Sequence, residues 1–103
     1  MKFINLTQHD INLNSGKVIP ASGTVARLEQ QTGFFNEDGI AVSWIKRAIG
    51  VPLPEDGTTY IVSLPVAQYC KRSDVVSPAT NHQDTIRNEK GHVVSVPGFL
   101  TFE

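Results

Sequence analysis

The stretch that most constrains this chain is Thr59-Tyr60-Ile61-Val62-Ser63-Leu64-Pro65, an aromatic and β-branched run that stops at a proline. Such a run packs well on a pleated surface and predicts the central strand of a sheet. Pro65 lacks an amide hydrogen and has its φ set for a first helical turn. Val66-Ala67-Gln68-Tyr69-Cys70-Lys71 is therefore predicted as a helix of about two turns. From Arg72 to Arg87 no period is sustained, which predicts a long loop ordered by side-chain contacts.

The flanking segments read as short strands separated by turns. Lys2-Phe3-Ile4-Asn5-Leu6 is a strand candidate that ends at the polar corner Thr7-Gln8-His9-Asp10. Ile11-Asn12-Leu13 and Lys17-Val18-Ile19 flank Asn14-Ser15-Gly16, a hairpin signal. After the turn Pro20-Ala21-Ser22-Gly23, the run Thr24 to Glu29 alternates. Val25, Arg27 and Glu29 share one face, and Ala26 and Leu28 the other, so Arg27 projects from a rigid strand. Gln30 to Asp38 is polar apart from Phe34-Phe35, and Asn36-Glu37-Asp38-Gly39 is a turn. Ile40 to Ile49 fits both a helical face and a strand; its β-branched and aromatic content favours the strand. Pro52, Pro54 and Gly57 break the chain again. Glu89-Lys90-Gly91 predicts a last hairpin turn, followed by the strand His92 to Val96. Pro97-Gly98 precedes Phe99-Leu100-Thr101-Phe102, which either extends the sheet or packs on a partner. The expected fold is one small α+β domain over residues 1–103, mainly antiparallel β-sheet with one or two short helices.

Composition narrows the function classes. A chain of 103 residues supports one modest core, and 40% hydrophobic residues argue for a folded domain. Nine Lys and Arg against ten Asp and Glu leave a net charge of −1, so no bulk attraction to duplex DNA or an anionic membrane exists. A single cysteine and three scattered histidines give no zinc spacing, and no metal or cofactor is expected. Met1-Lys2-Phe3-Ile4-Asn5 is not a signal-peptide pattern, and no apolar run is long enough to span a membrane, so a cytoplasmic location is expected.

No Gly-rich phosphate loop, nucleophile elbow or H-E-x-x-H motif is present, which closes the common routes to an enzyme. Cys70 with His9 or His82 as a nucleophile–base pair, and Asp74 with Asp84 as acid and base, rest on residue type alone. Core packing for Cys70, and pairing of the aspartates with Arg72 and Arg87, are the favoured readings. A binding site fares better. Arg72, Thr80, Asn81, His82 and Arg87 bring guanidinium forks, an amide and hydroxyl donors into one short segment. Tyr69 beside them offers a stacking face for a base. These groups meet the needs of a small anionic nucleotide, yet they equally suit a loop tied down by its own ion pairs. Asn5 reads as a turn-holding residue, and His9 is balanced between that role and phosphate contact.

The order of short signatures resembles a known family. Asn5-Leu6-Thr7-x-His9-x-Ile11 opens the pattern, followed by Ile19-Pro20-x-Ser22-Gly23-x-Val25-Ala26-Arg27 and Tyr60-Ile61-Val62-Ser63. Val66-Ala67-Gln68, Arg72-x-Asp74-Val75-Val76-Ser77-Pro78 and Ile86-Arg87-x-x-x-Gly91 complete it. Together they are similar to the small phage and bacterial proteins with an N-L-T-P-H opening, which include the first class of Thoeris anti-defence sponges. Gln8 stands where that family has proline, Leu64-Pro65 replaces its Ala-Leu, and Gln30 to Val51 matches nothing in the pattern. The resemblance implies a non-catalytic phage protein in the host cytoplasm. Such a protein sequesters cyclic ADP-ribose isomers made by a TIR-domain enzyme and so blocks the Thoeris effector. It further implies a homo-oligomer, dimer or hexamer, with pockets between subunits, and in some members separate sites for the cyclic oligonucleotides of CBASS signalling. By position it makes Arg27, Asn81 and Arg87 ligand residues. Tyr69 is the expected stacking aromatic, and Arg72 and His9 are further ligand candidates on residue type alone.

Overall fold

The computed structural model describes residues 1–103, save the side chain of Phe35. Ten strands and one helix follow in the order β1 (Lys2–Asn5), β2 (Ile11–Asn12), β3 (Val18–Ile19), β4 (Arg27–Phe35), β5 (Ala41–Ile49), β6 (Thr58–Ile61), α1 (Leu64–Cys70), β7 (Val75–Pro78), β8 (Ile86–Arg87), β9 (Val93–Ser95) and β10 (Phe99–Thr101). The fold is α+β. Three antiparallel hairpins, β2–β3, β4–β5 and β8–β9, surround a mixed sheet of order β1-β6-β7-β10. Among the described residues no helix is long and apolar enough to cross a membrane.

β6 is an interior strand, as its apolar run predicts. It pairs in parallel with β1, from Lys2↔Thr58 to Asn5↔Ile61, and with β7 at Tyr60↔Val75 and Ile61↔Val76. The two-residue period then sends alternate side chains to opposite faces. Tyr60, Val62 and Val75 join Leu6, Ala26, Val66 and Ala67 under the helix. Ile61 and Val76 join Ile11, Ile19 and Val96 on the other face. Being covered on both faces is what makes β6 a continuous apolar run rather than an alternating one.

α1 starts after Ser63, which is extended at φ −66°, ψ 157°, with Pro65 in its first turn. It buries Val66 and Ala67 against the sheet and stops at Lys71, which adopts a left-handed conformation at φ 50° and donates its N–H to the Ala67 carbonyl at 3.1 Å. Beyond the helix the expected irregular loop contains β7, a correction. Tyr60 and Val62 of the central strand donate their amides to the carbonyls of Asp74 and Val76, each at 2.8 Å. Four residues show no period, so only the neighbouring strand reveals this one. The closing Phe99–Thr101 segment extends the sheet, pairing antiparallel with β7 from Phe99↔Pro78 to Thr101↔Val76. Phe99 stacks on Phe3 with ring centroids 5.5 Å apart, and Phe102 packs on the core.

The polar run from Gln30 onward is a second correction, because β4 continues through it to Phe35. Pairing with β5 sustains it, from Arg27↔Ile49 through Gln31↔Trp44 to Phe35↔Ala41, with irregularities between Glu29 and Gln30 and between Thr32 and Phe34. Residues 41–49 are strand, as their β-branched content favours. The hairpin turn is the predicted Asn36-Glu37-Asp38-Gly39. The Asn36 side-chain oxygen accepts the amides of Asp38 and Ile40 at 2.9 and 3.0 Å, and Gly39 supplies φ 77°. At the base Gly50 sits at φ 84°, where an added Cβ would lie 3.2 Å from the Val25 carbonyl oxygen.

Candidate ligand-binding site

A cavity of about 510 Å³ opens between the Leu6–His9 corner, the start of β4 and the junction of β6 with α1. Its size is that of a small-molecule site, which spans about 300–1,000 Å³. Leu6, Ala26 and Val66 are apolar lining shared with the core, and Thr7, Gln8, His9, Arg27, Gln30 and Ser63 add polar groups. An apolar floor with a few polar groups around it suits an amphipathic ligand with a flat apolar part and an anionic part.

Asn5 builds the corner. Its side chain is 1% exposed and donates to the carbonyls of His9 at 2.8 Å and Ile19 at 3.0 Å; its oxygen accepts the Thr7 amide at 3.0 Å and the Thr7 hydroxyl at 2.6 Å. All its hydrogen-bonding capacity on these atoms is spent internally, so it holds the turn and leaves His9 at the surface. Leu6 then ties the corner to both neighbours. Its amide donates to the Ile61 carbonyl at 2.7 Å and its carbonyl accepts the Ala26 amide at 3.0 Å. That bond sets Arg27, the next residue, on the same cavity as His9.

The four arginines differ in what they touch. Arg72 binds Asp74 through two nitrogens, at 2.9 and 2.6 Å, and donates to the Pro52 carbonyl at 3.0 Å. The hydrogen bond from Arg72 holds the Asp74 carboxyl below the usual aspartate range, and the same bond raises the Arg72 guanidinium. Arg87 donates to the carbonyls of Gly91 and Thr80, both at 2.8 Å. Arg47 pairs with Glu29, whose carboxyl it lowers. Among the described residues no side chain or carbonyl pairs with the Arg27 guanidinium, so its five N–H donors face solvent or a ligand.

The candidates named from the sequence therefore separate within one chain. His9 and Arg27 meet at the cavity, with Ser63, Pro65 and Val66 of the strand-to-helix junction. Tyr69 lies on α1 outside the cavity lining, 45% exposed. Arg72 lines a different groove of about 750 Å³, together with Lys71 and the acidic Glu55, Asp56, Asp74 and Glu103. That sign of charge disfavours an anion. Asn81 lies on the loop between β7 and β8, and Arg87 ends β8, where its guanidinium braces the Thr80 and Gly91 carbonyls. Gln30 and Ser63 were not singled out from the sequence, since nothing in a polar residue beside a strand end signals a cavity.

Cys70 packs against the core, burial raises its thiol, and it does not line the cavity that holds His9. A raised thiol is the less nucleophilic form. Asp74 is bound to Arg72, as expected, but Asp84 stands 3.8 Å from His82 rather than on Arg87. Among the described residues no group of three or more His, Cys, Asp or Glu is placed to hold a metal ion. Compared with known protein families, curated proteins and solved structures, the chain matches none of them.

Proposed function

We propose that this chain binds and sequesters an anionic nucleotide signal, of the cyclic ADP-ribose class, without cleaving it. In this reading it is a phage anti-defence sponge that keeps a Thoeris effector inactive. The observation that carries the reading is the unpaired Arg27 guanidinium, held on a rigid strand over an apolar floor and beside His9. A fork that needs no rearrangement loses little freedom on binding a phosphate, and the apolar floor suits a base. The sequence resemblance supports the same ligand class and a homo-oligomer acting in the host cytoplasm.

A molecule the size of a dinucleotide needs more enclosure than this cavity offers in one chain. Asn81 and Tyr69 carry no side-chain bond among the described residues and are exposed, so they are free to meet a ligand held between subunits. Arg87 serves by holding the Thr80 and Gly91 carbonyls that shape their loop. A sponge needs only equilibrium affinity, and a nanomolar site corresponds to about 12 kcal/mol.

The test is to incubate the purified protein with TIR-produced cyclic ADP-ribose, remove free ligand, denature, and chromatograph what is released. Intact ligand supports the sponge; hydrolysed product favours a nucleotide-degrading enzyme; recovery of nothing overturns the reading. Arg27→Ala is expected to weaken binding by at least about tenfold with the fold intact, the loss of one charged hydrogen bond.

A further inference from the structure

We propose that the groove beside the turn before β6 binds a linear organic polycation, a methylene chain carrying two or more ammonium groups. The groove shares no lining residue with the Arg27 cavity, so the proposal is independent of what that cavity binds.

The charge of the groove sets the sign of the ligand. Arg72 and Asp74 line it but neutralise each other through two hydrogen bonds. What remains is three carboxylates, on Glu55, Asp56 and Glu103, against the single ammonium of Lys71, a surplus of two negative charges. Among the described residues none of these four side chains belongs to an ion pair. Like charges gathered in one groove repel one another, and a cation between them relieves that repulsion.

A buried hydroxyl supplies a second, independent sign of a ligand. Thr58 opens β6, lines the groove and is 6% exposed. Among the described residues its hydroxyl takes part in no hydrogen bond, whereas the Thr59 and Tyr60 hydroxyls that follow it do. No fully enclosed side-chain oxygen or nitrogen is left without a partner, so the Thr58 hydroxyl keeps an opening, and the groove is the opening. A hydroxyl this deep normally has a partner, and an ammonium, which only donates, complements its lone pairs.

The spacing of the acids selects an extended cation over a metal ion. Among the described residues no three His, Cys, Asp or Glu converge where one metal ion could sit, so no single point meets all the carboxylates. A chain of ammonium groups meets them separately. Leu53, 86% exposed, and Pro54 give its methylenes an apolar wall. The groove, about 750 Å³, has the volume of a small-molecule site. Its walls are tied down. The Thr58 amide donates to the Glu55 carbonyl at 3.1 Å, the Lys2 amide to the Gly57 carbonyl at 2.8 Å, and Arg72 reaches the Pro52 carbonyl at 3.0 Å.

The experiment is calorimetric titration with spermidine at low ionic strength, repeated with magnesium chloride at the same ionic strength. Saturable binding of spermidine that magnesium does not reproduce is expected. Thr58→Val keeps the shape and removes the hydroxyl; it is expected to weaken binding by about tenfold with thermal stability retained, since no internal hydrogen bond is lost. Glu55→Gln and Asp56→Asn, on the exposed turn, should each weaken binding by about two- to fivefold, and Lys71→Gln should strengthen it by a similar factor. These three variants decide the matter even where Thr58→Val does not fold. No saturable binding up to about 10 mM spermidine overturns the proposal. Equal binding of magnesium, or an affinity indifferent to the Glu55, Asp56 and Lys71 variants, overturns it as well, because either describes a diffuse ion atmosphere rather than a site.

Discussion

Single residues show how far identity alone predicts role. Asn5 was expected to hold a turn, and it does so with every polar atom bonded, so Asn5→Ala should cost about 2–3 kcal/mol in denaturant unfolding through the donors and acceptors it strands. Arg27 was legible as a projecting cation from the alternation around it. Arg72 and Arg87 were not distinguishable from it by type, because what separates them is the carboxylate or carbonyl each meets in space. The Arg72–Asp74 pair also sets a pH dependence. Its lowered Asp74 carboxyl contributes stability that is complete above the ordinary aspartate value and is lost as pH falls through the lowered one. Asp74→Asn should therefore flatten the acid limb of stability between those two values, measured by thermal unfolding across acidic pH.

Elements were legible where they were long or punctuated. β6, the Pro65 start of α1 and the hairpin turns at Asn14–Gly16, Asn36–Gly39 and Glu89–Gly91 follow from β-branched content, proline and turn residues. β7 and the distal half of β4 did not, because a four-residue strand has no period and a polar strand has no apolar one; both exist through their neighbours' hydrogen bonds. Two variants test the element geometry. Lys71→Gly relieves a left-handed side-chain residue at the end of α1 and should raise stability by about 0.5–1 kcal/mol in chemical denaturation. Gly33→Ala should push the Trp44 ring, which covers the Gly33 α-carbon, off the β4–β5 hairpin and shift its emission, with the mixed sheet's circular dichroism retained.

At the scale of the molecule, 53 Å across its longest axis and 25 Å across its shortest, a compact body carries the β4–β5 arm, on which Phe34, Val42 and Trp44 are exposed. If the chain acts as the homo-oligomer proposed above, folding and association are coupled, and the midpoint of thermal unfolding should rise with protein concentration; a midpoint independent of concentration over a hundredfold range, about 2.7 kcal/mol of mass action, would contradict it. The sequence by itself determined the α+β class, the central strand, the helix start, the turns and the absence of a bulk charge field, because each depends on local propensity or on summed composition. Only the tertiary structure decided which polar groups meet. It joined His9 to Arg27 through the Leu6 bridge, bound Arg72 and Arg87 elsewhere, and stood the β4–β5 arm clear of the core. Those outcomes turn on hydrogen bonds between segments far apart in the chain, which no local pattern encodes.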